Sequence, residues 1–214
     1  MALQSRARYA LFIGLLGAVC FGIVSVLTFN KGLRGFDSSI IERVQGLESE
    51  TLTKFMKAVS YIGTTVPMVA LSLLIMIFLY AVLKHRMELV LFVVAVLGAK
   101  IWNDTLKNVF ERERPTLHRL VEEVGYSFPS GHSMVAFAFY GILAFLLWRH
   151  LKTRTARTIL LFFAVAMTLL IGISRIYLGV HYPSDVIGGY MASACWLGII
   201  IWLFQWYMER RSRR

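Results

Sequence analysis

Six long apolar runs constrain this chain more than any other feature: residues 9–29, 67–83, 89–107, 134–148, 158–174 and 186–206. A membrane-spanning helix needs about 20 mostly apolar residues, and these runs meet or approach that length. They are continuous rather than alternating, and an open sheet cannot satisfy its backbone groups in hydrocarbon, so strands are excluded. Hydrophobic residues make up 57% of the chain and the mean hydropathy is +0.65. Soluble domains sit near 45 to 50% apolar, so the solvent here is lipid. The expected fold is all-α, a single domain over residues 1–214 made of six transmembrane helices. Arg6 and Arg8 precede the first run as in a secretory signal, but that run is too long and lacks a small-residue exit, so it reads as a retained helix. Cys20 and Cys195 fall mid-span and read as free thiols rather than a disulfide or metal ligands.

The 23 Lys and Arg against 12 Asp and Glu give a net charge of +11, and their distribution excludes a nucleic-acid partner. The N-terminus, the turn at 84–88, the loop at 149–157 and the tail from Glu209 together hold 12 Lys and Arg and only 2 acids. The rest of the chain holds 11 against 10. The positive-inside rule therefore predicts cytoplasmic termini in a cell membrane, with membrane lipids as the counter-charge of the basic side.

Between the first two runs, residues 30–66 carry helical signals of their own. Ser39 and Glu42 suit a capping box, and Phe36, Ile40, Val44 and Leu47 recur near one face. Leu52, Phe55, Met56, Val59 and Ile62 continue the pattern, which predicts an extracytoplasmic amphipathic segment, either a lid or a packing cap. The connection at 110–128 mixes Glu and Arg with Leu117, Leu120, Val121 and Tyr126, and is expected at the interface above the polar clusters.

Three polar clusters interrupt the apolar pattern, all at the extracytoplasmic ends predicted by charge. The first is Lys107 with Arg114-Pro115. A guanidinium fork matches phosphate oxygens and an ammonium supplies a point charge, although taken alone Lys107 reads first as a snorkelling residue and Arg114 as a partner for Glu111 or Glu113. Arg112 reads as solvated. The second is Pro129-Ser130-Gly131-His132 at the head of an apolar helix, where free amides attract anions and a glycine admits close approach. The third is Ser174-Arg175, then His181 and Asp185. A carboxylate at one imidazole nitrogen fixes the tautomer and leaves the other nitrogen as a nucleophile, though Asp185 also complements a helix dipole.

In order and spacing, Lys-x6-Arg-Pro, Pro-Ser-Gly-His and Ser-Arg-x5-His-x3-Asp resemble the type 2 phosphatidic acid phosphatase superfamily at every motif position, over residues 107–185. Within it the chain is similar to bacterial integral-membrane lipid phosphatases acting on phosphatidylglycerophosphate or undecaprenyl pyrophosphate. The resemblance implies a catalytic His181 as nucleophile, Asp185 as its orienting carboxylate and His132 as acid and base. It implies phosphate binding by Lys107, Arg114, Ser130, Gly131 and Arg175, a phospholipid or polyprenyl phosphate substrate, and neither metal nor other cofactor. A phosphotransferase shares these motifs. A transporter of anionic lipids has no need of two histidines, and the related vanadate-dependent haloperoxidases are soluble.

Lys100 and Asp104, with Asn103 nearby, stand outside these motifs on the third apolar run. Intramembrane charges are expected to face the bundle and pair, so a structural Lys100–Asp104 pair is predicted in preference to a substrate contact.

Overall fold

The structure, a computed structural model, describes residues 2–81, 86–116 and 118–212. Among these there are eight α-helices and no strand: α1 (Ala2–Phe29), α2 (Arg34–Gln45), α3 (Glu50–Ile62), α4 (Thr65–Ala81), α5 (Arg86–Phe110), α6 (Gly131–Trp148), α7 (Arg154–Tyr177) and α8 (Pro183–Ser212). Parts of the basic side counted above, namely residues 82–85, 213–214 and the side chains of Arg6 and Arg86, lie outside the described residues, as does Leu117. The protein is a multi-pass membrane protein.

Five helices, α1, α5, α6, α7 and α8, are each long and apolar enough to cross a bilayer. At 17 residues α4 falls short alone, and it reaches a sixth span only together with α3, from which it is bent by 54°. The amphipathic segment consists of two helices, α2 and α3, the second of which is followed directly by α4. The capping box expected at Ser39 and Glu42 does not form, because α2 already starts at Arg34 behind Leu33 and both residues lie inside it. The cap used is Ser49, whose extended backbone lets its hydroxyl accept from the Leu52 amide at 3.3 Å. Met56 and Val59 on the inner face of α3 are buried, and Val44 and Leu52 join Met56 against Tyr177, Leu178 and Val180. Phe36 and Leu47, placed near the same face by the sequence pattern, are exposed.

The spans are apolar on all sides, so hydrophobicity cannot say which neighbour each one takes. Small residues do. A side chain built on Gly17 would put its Cβ 2.7 Å from the backbone nitrogen of Cys195, so α1 lies backbone to backbone on α8. Helices α5, α6, α7 and α8 form the centre, around Phe92, Phe139, Ile142, Leu146 and Ile171. The antiparallel order brings the end of α5, the start of α6, the end of α7 and the start of α8 to one end of the bundle. That end carries all three polar clusters. Arg149, Arg154, Arg157 and Arg210 stand at the opposite helix ends.

Candidate active site

His181 lies in the short connection between α7 and α8 and is 1% exposed; Asp185, in the first turn of α8, is 0% exposed. Their spacing of four residues sets Nδ1 of His181 3.4 Å from Oδ2 of Asp185. On the other side of the ring, Nη1 of Arg114 lies 3.2 Å from Nε2. A guanidinium can only donate, so Nε2 carries the lone pair and Nδ1 carries the proton, facing the carboxylate. Burial pushes His181 down to about 4, with the Asp185 hydrogen bond working against it and the charges of Arg114 and Arg175 adding to it. At neutral pH the ring is uncharged, with the lone pair on Nε2 turned to Arg114.

Asp185 is held by more than the histidine. Its Oδ2 accepts from the Tyr182 amide at 2.8 Å and from the Ser127 hydroxyl, and its Oδ1 accepts from Nη1 of Arg112 at 2.5 Å. Arg112 is thus not a solvated residue. It also donates to Oδ2 of Asp37 at 3.0 Å and to the Ser184 hydroxyl at 2.7 Å, and it stacks over the Tyr182 ring at 4.0 Å. Asp37, in the first turn of α2, in turn accepts from the amide and hydroxyl of Ser184. This chain of partners ties α2 to the first turn of α8 and leaves the Asp185 carboxylate little freedom. Breaking such a buried network at one member costs about 3 to 5 kcal/mol, because an unpaired charge remains.

The cations form the opposite wall. Arg114 does not pair with Glu111 or Glu113. Its Nε donates to the Gly125 carbonyl at 2.9 Å and its Nη1 and Nη2 to the carbonyls of Val180 and Val124, so the connection from α5 to α6 wraps around it. Burial holds Arg114 below the usual arginine range, and Glu123 opposes that shift. Arg175, 3% exposed near the end of α7, donates from Nη1 to Ser60 Oγ of α3 at 2.5 Å and from Nη2 to Glu123, while its Nε is buried without a partner. Arg175 and Arg114 hold the Glu123 carboxyl below its ordinary range, outweighing the burial that would raise it.

The Pro-Ser-Gly-His turn opens α6 as expected, but its hydroxyl serves the helix. Ser130, 0% exposed, is the N-cap and accepts from the Ser133 amide and hydroxyl. Gly131 faces the site, where a Cβ would lie 2.8 Å from Asn103 Oδ1. Asn103 itself donates to the Pro129 carbonyl at 3.0 Å and so fixes this turn against α5. His132, one residue on, has its Nε2 buried with no partner.

A cavity of about 860 Å³ opens from these groups. Lys107, Gly131, His132, Arg175 and Glu123 line its polar end, and Met68 and Leu73 of α4 with Val93 and Leu97 of α5 line the rest. The Lys100–Asp104 pair forms, with Nζ 2.5 to 2.6 Å from both carboxylate oxygens. It is not buried: the two side chains are 48% and 54% exposed on the cavity wall. An exposed pair of this spacing stabilises a helix by only about 0.3 to 0.5 kcal/mol.

Of the eight site residues expected from sequence, Lys107, Gly131, His132 and Arg175 line this cavity, Arg114, His181 and Asp185 are buried in a contiguous chain of contacts, and Ser130 is turned to capping. Asp37, Ser127, Glu123 and Ser60 were not singled out, and Arg112 was read as solvated. Each is an ordinary polar residue in a loop or amphipathic helix, and only a partner distant in sequence gives it a place.

Residues 68–209 match the PAP2 superfamily. Phosphatidylglycerophosphatase B of Bacillus subtilis is 28% identical over 196 residues, covering 91% of this chain and 93% of that protein. A putative undecaprenyl-diphosphatase of Escherichia coli, YbjG, is 33% identical over 150 residues, covering 65% and 67%. The crystal structure of a transmembrane PAP2-type phosphatidylglycerolphosphate phosphatase from Bacillus subtilis superposes with a TM-score of 0.76 at 26% identity, covering 94% of this chain and 97% of that one. The chain belongs to the PAP2 superfamily and is a lipid phosphatase of that family.

Proposed function

We propose that this protein hydrolyses the terminal phosphate of phosphatidylglycerophosphate or a related lipid phosphate or diphosphate through a phosphohistidine at His181. The observation that carries the reading is the uncharged, buried His181 held between Asp185 at Nδ1 and Arg114 at Nε2. A phosphate drawn to the cationic wall presents its phosphorus to Nε2. The Nε2 lone pair attacks in line, the bond from phosphorus to the lipid oxygen breaks, and His132 gives that oxygen a proton. Asp185 then faces an imidazole bearing positive charge. His132, now neutral, takes a proton from water, whose oxygen attacks phosphorus and releases phosphate from His181.

Lys107, Arg114, Arg175 and the Gly131 amide hold the equatorial oxygens as charge shifts. Fixed cations in these positions supply what a divalent ion supplies elsewhere, so the reaction proceeds without metal. The concentration of basic residues at the far helix ends supports an active site on the extracytoplasmic face of the cell membrane, with cytoplasmic termini.

The test is phosphate release from lipid substrates by the detergent-solubilised protein and its His181→Ala and His132→Ala variants. Loss of release in both supports the proposal. Equal release from all three overturns it, and a stable phosphohistidine without free phosphate assigns transfer to another acceptor instead.

A further inference from the structure

One face of α5 descends from the site into the apolar part of the cavity. Lys107, Asp104, Lys100, Leu97 and Val93 all line it, at intervals of three or four residues, which keeps them on the same side of the helix. The order along this wall is site cation, acid–base pair, then hydrocarbon. Lys100 sits about 10 Å of helix rise below Lys107. A lipid with its scissile phosphate at Arg175 and its chain beside Leu97 and Val93 must pass the Lys100–Asp104 pair with the segment that links the two.

We propose that Lys100 and Asp104 form a second headgroup subsite, which reads a phosphate carried on a hydroxylated linker between the scissile phosphate and the apolar chain. This rests on the phosphatase reading above. The Lys100 ammonium has three donors, and its contact with Asp104 leaves donor capacity for a phosphate oxygen. An ionised Asp104 can only accept, so it selects a hydroxyl on the linker. A glycerol linker supplies that hydroxyl and sets the second phosphate several bonds toward Lys100. A diphosphate has no such hydroxyl and keeps its second phosphate next to the first, at the level of Lys107. A lipid monophosphate such as phosphatidate has neither group.

The experiment measures kcat/KM for phosphatidylglycerophosphate, polyprenyl diphosphate and phosphatidate with wild type, Lys100→Met, Lys100→Arg and Asp104→Asn. In Lys100→Met the preference for phosphatidylglycerophosphate over phosphatidate falls about 10- to 100-fold, the worth of one hydrogen bond to a charged group. Lys100→Arg restores most of it, and Asp104→Asn lowers it by a smaller factor. An unchanged ratio in Lys100→Met, or an equal fall on all three lipids, overturns the proposal. An equal shift for the diphosphate overturns the linker assignment. Wild type inactive on all three sinks the phosphatase reading instead.

A second measurement avoids variants. Phosphatidylglycerol, which keeps the diester phosphate and the glycerol hydroxyls, should inhibit wild-type hydrolysis of phosphatidate more strongly than diacylglycerol does. Equal inhibition counts against the subsite.

Discussion

Nη1 of Arg114 stands 3.2 Å from Nε2 of His181, on the opposite side of the ring from Asp185. The same guanidinium is also tied to backbone carbonyls on both sides of the site, at Gly125 and Val180. It therefore acts as a fixed point that positions the connection from α5 to α6 against His181. In the mechanism proposed above, a cation so placed is shared by the resting histidine and an arriving phosphate.

Arg114→Lys keeps the charge and loses the fork. With no planar set of donors the carbonyls of Val124 and Gly125 lose partners, and phosphate release should fall about 100-fold or more. Release within a few-fold of wild type would show that charge alone suffices at this position.

Arg112→Leu tests the network behind the carboxylate. It leaves Asp37 and Asp185 facing each other without their shared cation, and should cost about 3 to 5 kcal/mol of stability together with most of the activity. Thermal unfolding in detergent checks the first and phosphate release the second. An unshifted midpoint would mean that Ser184 and Ser127 hold the carboxylates by themselves.

The pH dependence follows from His181, whose ring titrates near 4 rather than 6.5. Because the folded value lies below the unfolded one, the unfolded chain binds the extra proton between about 6.5 and 4. Stability is complete above 6.5 and declines as pH falls through that window. The nucleophile stays neutral over the same window, so the acid limb that it contributes to turnover lies near 4. A limb near 6.5 that is abolished only with His181 would contradict its burial.

Chelation provides a further check. Under the proposed metal-free mechanism, in which Lys107, Arg114 and Arg175 supply the positive charge, turnover measured in excess EDTA should equal turnover in buffer. Loss on chelation and recovery on adding Mg²⁺ would reverse that assignment.

Much of the site was legible in the sequence because its members carry chemistry that lipid does not tolerate without cause. Lys107, Arg114, Arg175, His132, His181 and Asp185 stand out against apolar runs, and antiparallel helices bring them to one end whatever the packing angles. The span count was nearly legible for the same reason, since length and composition alone define the candidates. The break between α3 and α4 was not, because an amphipathic helix and a short apolar run give separate signals, and only the tertiary structure joins them, at a bend of 54°.

Chemical type and spacing thus determined the fold class, the membrane solvent, the cationic end and the His–Asp pair. Tertiary structure decided the rest: that Arg112 bridges Asp37 and Asp185, that Ser130 caps instead of facing the cavity, and that Lys100 and Asp104 line a cavity wall. The physical reason is that a hydrogen bond depends on distance and direction, and partners more than 70 residues apart, such as Arg112 with Asp37 and Asp185, leave no periodic mark on the chain.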